Sequence, residues 1–210
     1  MHPSPVFRTD DETLIRDMIS ASPFAMIAVN GEDGPVVAML PMLLSADGKV
    51  LIGHVANQNS IVPHLRAGSK PATVIFQISE AYVSPSFYPS KAEHGRAVPT
   101  WNYEAVEVRG TVVLVEDTVT LLSNLEHLTE HMEAERAARW QVSDAPEDYI
   151  DRLARGICGL HLTINSITAI RKLSQNKSQN DLAGVIAGLS MEPRHASQAM
   201  AADIQKLREA

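Results

Sequence analysis

Apolar positions along the chain recur in two rhythms, and the rhythms assign the elements. Leu14, Ile15, Met18 and Ile19 follow Thr9-Asp10-Asp11-Glu12 at helical spacing, with acids in the first turn where the helix dipole favours them. Ser22-Pro23 ends that helix. Two apolar runs, 24–29 and 35–44, are separated by Asn30-Gly31-Glu32-Asp33-Gly34, residues that tolerate the positive φ of a tight hairpin. Ser45-Ala46-Asp47-Gly48 is a second turn of this kind and leads into a strand over 49–56. Three strands joined by short turns predict an antiparallel meander.

Further along, 58–67 reads as a short helix, and Pro71 leads into a strand over 72–77. Residues 84–99 read as a long irregular connection with Pro85, Pro89 and Pro99, a length that in compact domains tends to be functional. Residues 101–115 return to β character, with Val106, Val108, Val112 and Leu114 on one alternating face and Gly110 marking a bulge or close approach. Asp117 caps a helix that places Leu121, Leu122, Leu125, Leu128 and Met132 on one face. Pro146 opens another helix, ended by Gly156. Residues 157–164 alternate as a strand, with 166–173 as its expected partner. From Gln179 the chain is helical, and 196–210 is Ala-rich. Strands and helices do not alternate, which disfavours a parallel doubly wound sheet. The pattern predicts a mainly β (α+β) fold, a small antiparallel barrel of about seven strands with peripheral helices. Residues 1–190 form the barrel domain with inserted helices, and 191–210 form a C-terminal helical tail.

Composition narrows the class. The 210 residues are 45% hydrophobic and 20% charged, the balance of a folded globular chain. A lone cysteine, Cys158, excludes an internal disulfide framework and a Cys-rich zinc module. No apolar run is long enough for a transmembrane helix, and the first residues lack the signature of a secretory signal. The expected location is cytoplasmic, with no membrane partner. The net charge is −7, and residues 111–151 carry ten acids against two arginines. Such a segment repels a phosphate backbone, so charge supports DNA binding only weakly, through a localised patch on a dimer.

Recognised phosphate loops and nucleophile elbows are missing from the sequence. Cys158 and His161 are three apart in a strand and so face opposite ways, which makes Cys158 a small core residue and leaves no catalytic pair. His127 and His131 share a helix face, but no third ligand is identifiable among the surrounding glutamates, so no metal site is assigned. The chemistry concentrates instead in 82–103, YVSPSFYPSKAEHGRAVPTWNY, which holds Tyr82, Phe87, Tyr88, Trp101 and Tyr103, five of the ten aromatics. Hydroxyls, Asn102, Lys91 and Arg96 are interleaved. Aromatic planes with amides and a cation suit a flat heterocycle with an anionic tail; the alternative is that these aromatics form core beneath a long loop. A second polar cluster is Lys172-Leu173-Ser174-Gln175-Asn176-Lys177, before a helix whose first N–H groups near Ser178 suit an anion. An ordinary polar cap is the competing reading.

The strings SPSFYPSK, VPTWNY and KLSQNKSQNDLAGVIAGL, with GHVANQN upstream and DAPEDYI between, resemble the PaiB family from about Phe7 to Leu189. Its members are FMN-binding-type negative transcriptional regulators. The resemblance implies an antiparallel split β-barrel of the FMN-binding type, a homodimer, and FMN in the groove between subunits. It places the flavin phosphate near His54, Asn59 and Ser60, and the ring near Leu40-Pro41 and the second subunit's aromatic segment. By position it adds Lys91, Trp101, Asn102, Lys172 and Gln175 to the cofactor-binding set; no catalytic residue is assigned. The chain departs from the family pattern at Ala38-Met39, where Thr-His is expected, at Ser60-Ile61, where Pro and an aromatic are expected, and at Phe87, where Trp is usual. Each departure removes a hydrogen bond or a stacking surface from the implied pocket. The function implied is transcriptional regulation. An FMN-dependent oxidoreductase, in which the flavin supplies the chemistry, is the alternative, and a flavin-free small-ligand binder is a third.

Overall fold

The computed structural model describes Met1 and residues 4–209. Its seven strands are β1 (Arg8–Thr9), β2 (Phe24–Gly31), β3 (Gly34–Leu44), β4 (Val50–Ala56), β5 (Lys70–Val83), β6 (Thr100–Val115) and β7 (Ile157–Lys172). Hydrogen-bonded neighbours follow the order β1-β7-β4-β3-β2-β5-β6, and β7 also pairs with β6. Six strands therefore close into a ring, with β1 added beside β7. Seven helices accompany them: α1 (Glu12–Ala21), α2 (Val62–Arg66), α3 (Ser90–His94), α4 (Thr118–Glu133), α5 (Glu147–Ala154), α6 (Gln179–Met191) and α7 (His195–Glu209). This is the antiparallel barrel with peripheral helices that the pattern predicts. Among the described residues no helix is long and apolar enough to cross a membrane.

The chain divides into two compact units. One comprises Ser22–Phe76 and Val108–Ile167. Here β2 and β3 form a hairpin in register from Phe24↔Pro41 to Gly31↔Gly34, and Gly34 turns at φ 127°, a conformation that side chains resist. Asp47 organises the next turn: its Oδ1 accepts from the Ser45 hydroxyl at 2.7 Å and from the Lys49 N–H at 3.1 Å. Alternation then fills the interior with Ile27, Leu40, Met42, Leu51, Phe76, Val108, Leu160 and Leu162, all buried. A fully buried aliphatic side chain contributes about 1.5–3 kcal/mol, so this set dominates the unit's stability. Gly110 is a close approach: a Cβ there would lie 2.1 Å from the Thr163 carbonyl oxygen.

The other unit comprises Met1–Ala21, Gln77–Glu107 and Thr168–Ala210. Asp11 caps α1 by accepting from the N–H groups of Thr13 and Leu14. In β1, Arg8 pairs with Ile170 and Thr9 with Ala169. α6 and α7 pack on the ends of β5 and β7, burying Val83, Tyr88, Leu173, Val185, Leu189 and Met200 in one cluster. The C-terminal segment thus contributes core side chains, Ile204 among them; Ala210 lies outside the described residues.

Two sequence expectations are corrected. Residues 157–164 and 166–173 are not partners in a hairpin but one continuous strand, β7, because Asn165-Ser166 runs straight on without a turn. The count of seven is restored by β1, a two-residue strand too short to leave a periodic signal. Residues 84–99 are not wholly irregular: a 3-10 turn at Pro85–Phe87 and α3 occupy part of them. On the apolar face of α4, Leu121 is buried, Leu122, Leu125 and Leu128 are half-buried, and Met132 is exposed. Beyond Leu121 the helix meets the sheet through a polar contact, Asn124 to His161 at 2.9 Å.

Candidate functional site

The residues singled out from the sequence fall into two groups, one in each unit. In the first, the start of β6 lies beside the end of β7. Lys172 Nζ donates to Thr100 Oγ1 at 2.6 Å and to the Trp101 carbonyl. Burial, and then the nearby charge of Lys177, hold its ammonium below the ordinary lysine value. Trp101 is 48% exposed, and its ring meets that of Tyr82, 45% exposed, edge to face with centroids 5.8 Å apart. Asn102 is fully buried and exchanges hydrogen bonds with the Ser174 hydroxyl at 2.9 and 3.1 Å. Ser174 has φ 64°, a left-handed backbone that a non-glycine residue adopts at a cost. Gln175 spans the same turn, accepting from the Leu173 N–H at 2.7 Å and donating to the Arg171 carbonyl. Below it, Arg171 pairs with the buried Glu104 at 2.6 Å, and Ser79 donates to the other Glu104 oxygen at 3.0 Å.

The SPSFYPSK segment docks onto α6. A Cβ on Gly184 would lie 2.1 Å from the Phe87 carbonyl oxygen, and one on Gly188 would lie 2.3 Å from the Phe87 ring. Ser90 donates through its N–H and its hydroxyl to Asp181. Lys177 Nζ sits 4.7 Å over the Tyr88 ring, whose buried hydroxyl has no hydrogen-bond partner among the described residues. The Asp181 carboxylate and Ser178 hydroxyl occupy the first turn of α6, with Ser178 Oγ accepting from the Asp181 N–H at 3.2 Å. Lys91 lies exposed on α3. Both motifs thus spend most of their polar atoms on each other. Their outward-facing side chains include Lys91 and two aromatics, Trp101 and Tyr82, with the Lys172 ammonium drawn against the Trp101 backbone.

In the second group, Leu40 is buried on β3 and Pro41 lies opposite Phe24 on β2. Gly53 of β4 allows the strand to approach, since a Cβ there would lie 2.8 Å from the Pro41 carbonyl oxygen. His54 is half-buried opposite Gly159 of β7, and burial holds its imidazole below the usual value. After β4 the chain turns through Asn59, whose Oδ1 accepts from the Ile61 N–H at 3.1 Å; Ser60 is exposed at that turn. The hairpin also carries side chains that sequence reasoning did not select. Phe24, Val37 and Met39 are 60%, 46% and 53% exposed, and the register puts them on one face with Met26 and Pro41. The signal was present: both faces of this hairpin are apolar, as in strands covered on both sides.

Taken separately, the first group offers exposed Trp101 and Tyr82 beside a lysine and the second an imidazole and a hydroxyl, side-chain types that suit a ligand with an aromatic plane and polar edges. The family model described as "Putative FMN-binding domain" matches residues 1–166. The chain belongs to this family. Relatives similar to it include an uncharacterized protein of Emericella nidulans, 31% identical over 79% of this chain and 72% of the relative. The protease synthase and sporulation protein PAI 2 of Bacillus subtilis is 27% identical over 93% of this chain and 92% of its own. Among solved structures, the FAD and heme binding protein of Mycobacterium smegmatis superposes with a TM-score of 0.61 at 15% identity, covering 84% of this chain and 78% of that one. The flavocytochrome Anf3 of Azotobacter vinelandii gives 0.60 at 12% identity, covering 87% and 78%. At such identities these two likenesses carry the fold, the flavin-binding type of split barrel. The residues of the family's FMN-binding domain fit a flavin in kind, except at Ala38 and Met39, which offer no polar group beside Leu40.

Proposed function

We propose that this protein is a transcriptional regulator of the PaiB type, a cytoplasmic homodimer that binds FMN between its subunits. The observation that carries the regulatory reading is the relationship to the sporulation protein PAI 2 along nearly the whole of both chains. The uncovered face of the β2–β3 hairpin supports the dimer. Phe24, Val37 and Met39 form an apolar surface that a second copy would bury, and a two-fold contact needs only one self-complementary patch.

His54, Asn59 and Ser60 would hold the phosphate end of FMN, and Leu40-Pro41 would back its ring. Trp101 and Lys172 would face the ring from the partner, with Lys91 at the rim. Asn102 and Gln175 would act through placement, since the buried amide of Asn102 is engaged by Ser174 and both ends of Gln175 by the backbone. When bound, FMN supplies redox chemistry; the protein's own groups bind, orient and exclude water. Any DNA contact would be local, because a net charge of −7 disfavours a broad phosphate interface.

The test is a fluorescence titration with FMN alongside gel filtration. Stoichiometric binding by a dimer, weakened at least about tenfold in Trp101→Ala and Lys172→Ala, is the expected result. A dimer that ignores high micromolar FMN would remove the flavin from this reading, leaving a regulator or a binder of another ligand. A promoter fragment retarded with steep salt dependence tests the regulatory half, and consumption of NADH only with flavin present would shift the reading to an oxidoreductase.

A further inference from the structure

At the β2–β3 hairpin end of its unit, the barrel opens into a cavity of about 430 Å3. That lies within the ordinary range of small-molecule sites, and barrel mouths are a common place for them. The sequence makes the opening. The ladder between β2 and β5 ends at Val29↔Ala72, and the next residues are Asn30 and Pro71. On the other side Asn30 is paired with Pro35. Proline has no N–H, so Pro71 cannot donate to Asn30 and the β2–β5 ladder stops there, while β2 and β3 stay paired to Gly31↔Gly34. The opposite wall is firm. Gly110 of β6 is pressed so closely on β7 that a Cβ would lie 2.1 Å from the Thr163 carbonyl oxygen and 2.5 Å from the Leu162 side chain.

The lining has a definite chemistry. Its apolar part is small residues and prolines, Ala28, Val29 and Ala72 among them. Its polar part is Asn30, Thr73, Asn165 and one charged side chain, Arg109. No carboxylate lines the cavity, although the chain has 25 acidic residues against 18 basic ones. Glu32 and Asp33 sit at the exposed hairpin tip and are not part of the wall. A guanidinium offers five N–H donors, so it can serve a ligand alongside protein contacts, and its planar fork matches a carboxylate. A guanidinium that keeps its protein contacts and turns one edge to the cavity suits a single planar carboxylate. The small apolar walls leave room for a short hydrocarbon body.

We propose that this cavity binds a small organic monocarboxylate, with Arg109 holding the carboxylate, Asn30 and Asn165 hydrogen-bonding its edges, and Ala28 and Val29 contacting its apolar part. The site shares no residue with the flavin set, and its Ala28, opposite Val37, borders the face that the proposed dimer would bury.

The test uses benzoate and its neutral isostere benzamide as probes on the full chain, without added flavin, followed by amide and side-chain NMR shifts. The expected result is saturable, millimolar benzoate binding with shifts centred on Gly110, Thr73 and the Asn165 side chain. Benzamide should bind at least about tenfold more weakly, as should benzoate to Arg109→Gln, because a charge-assisted bidentate contact is lost in each case. Arg109 is exposed, so its replacement leaves the core intact. A second variant, Ala28→Leu, fills the cavity while keeping Arg109 and should weaken both probes. The proposal is overturned by benzamide binding as well as benzoate, by Arg109→Gln binding unchanged, by shifts lying elsewhere, or by no saturation at tens of millimolar benzoate.

Discussion

The α6 clasp and the outer face of the β2–β3 hairpin invert what their sequences advertise. The clasp is dense in aromatics, amides and cations, the composition of a ligand site, yet those groups largely satisfy one another: Asn102 with Ser174, Ser90 with Asp181, Lys177 with Tyr88, Phe87 against Gly184 and Gly188. The hairpin face is plain in sequence, yet it leaves large apolar side chains uncovered. A run of polar and aromatic residues can therefore be a lock that holds two segments together. A run of unremarkable apolar residues can be the surface that remains to be used.

The sharpest way to break this contrast is to remove one member of the lock. Arg171→Met takes the guanidinium away from the buried Glu104, whose other oxygen Ser79 still holds, and should destabilise the chain by about 3 kcal/mol in urea unfolding, as stranded buried charges do. A loss below about 1 kcal/mol would mean the cluster is ornamental. Next, Gly188→Ala should cost about 2 kcal/mol by overpacking against the Phe87 ring. Adding Phe87→Ala should relieve that strain. The same addition should not rescue Gly184→Ala, where the obstacle is the Phe87 backbone oxygen. Equal rescue of both would show that the clasp does not depend on this fit.

These details mark where sequence reasoning stops. The barrel was legible because alternation and turn residues are local: Gly34 and Asp47 announce their turns within a few positions. The motif strings located Trp101, Lys172 and their neighbours, but whether a side chain faces a ligand or its own fold depends on packing. Nothing local says that Asn102 meets Ser174, 72 residues away. Likewise, β7 looked like two strands because Asn165-Ser166 resembles a turn, and only its pairing keeps it straight.

A smaller effect probes the hairpin's own unit. Burial lowers the imidazoles of His54 and His161 from their ordinary value. The unfolded chain then binds more protons than the folded one as pH falls through about 6.5, so stability is full above that value and declines toward the folded pKa values below it. The urea midpoint should drop between pH 8 and pH 5.5, and less so in His54→Gln and His161→Gln. An unchanged slope in both variants would place the pH dependence elsewhere. Smallest on stability is Met39→Glu, an exposed change expected to stay within about 0.5 kcal/mol. Light scattering should nonetheless report a loss of dimer mass, whereas an intact dimer would free this face of any role in assembly.

The pairing of Arg8 with Ile170 and of Thr9 with Ala169 has a meaning for how the protein is made. A ribosome releases the amino-terminal strand first, but its partner emerges only when most of the chain has been translated. Until then the nascent amino terminus has no edge to join, and α1 waits beside an unfinished sheet. Synthesis that stalls before residue 170 would therefore leave a product whose first segment stays open to proteases, while the hairpins between Phe24 and Ala56 can already close.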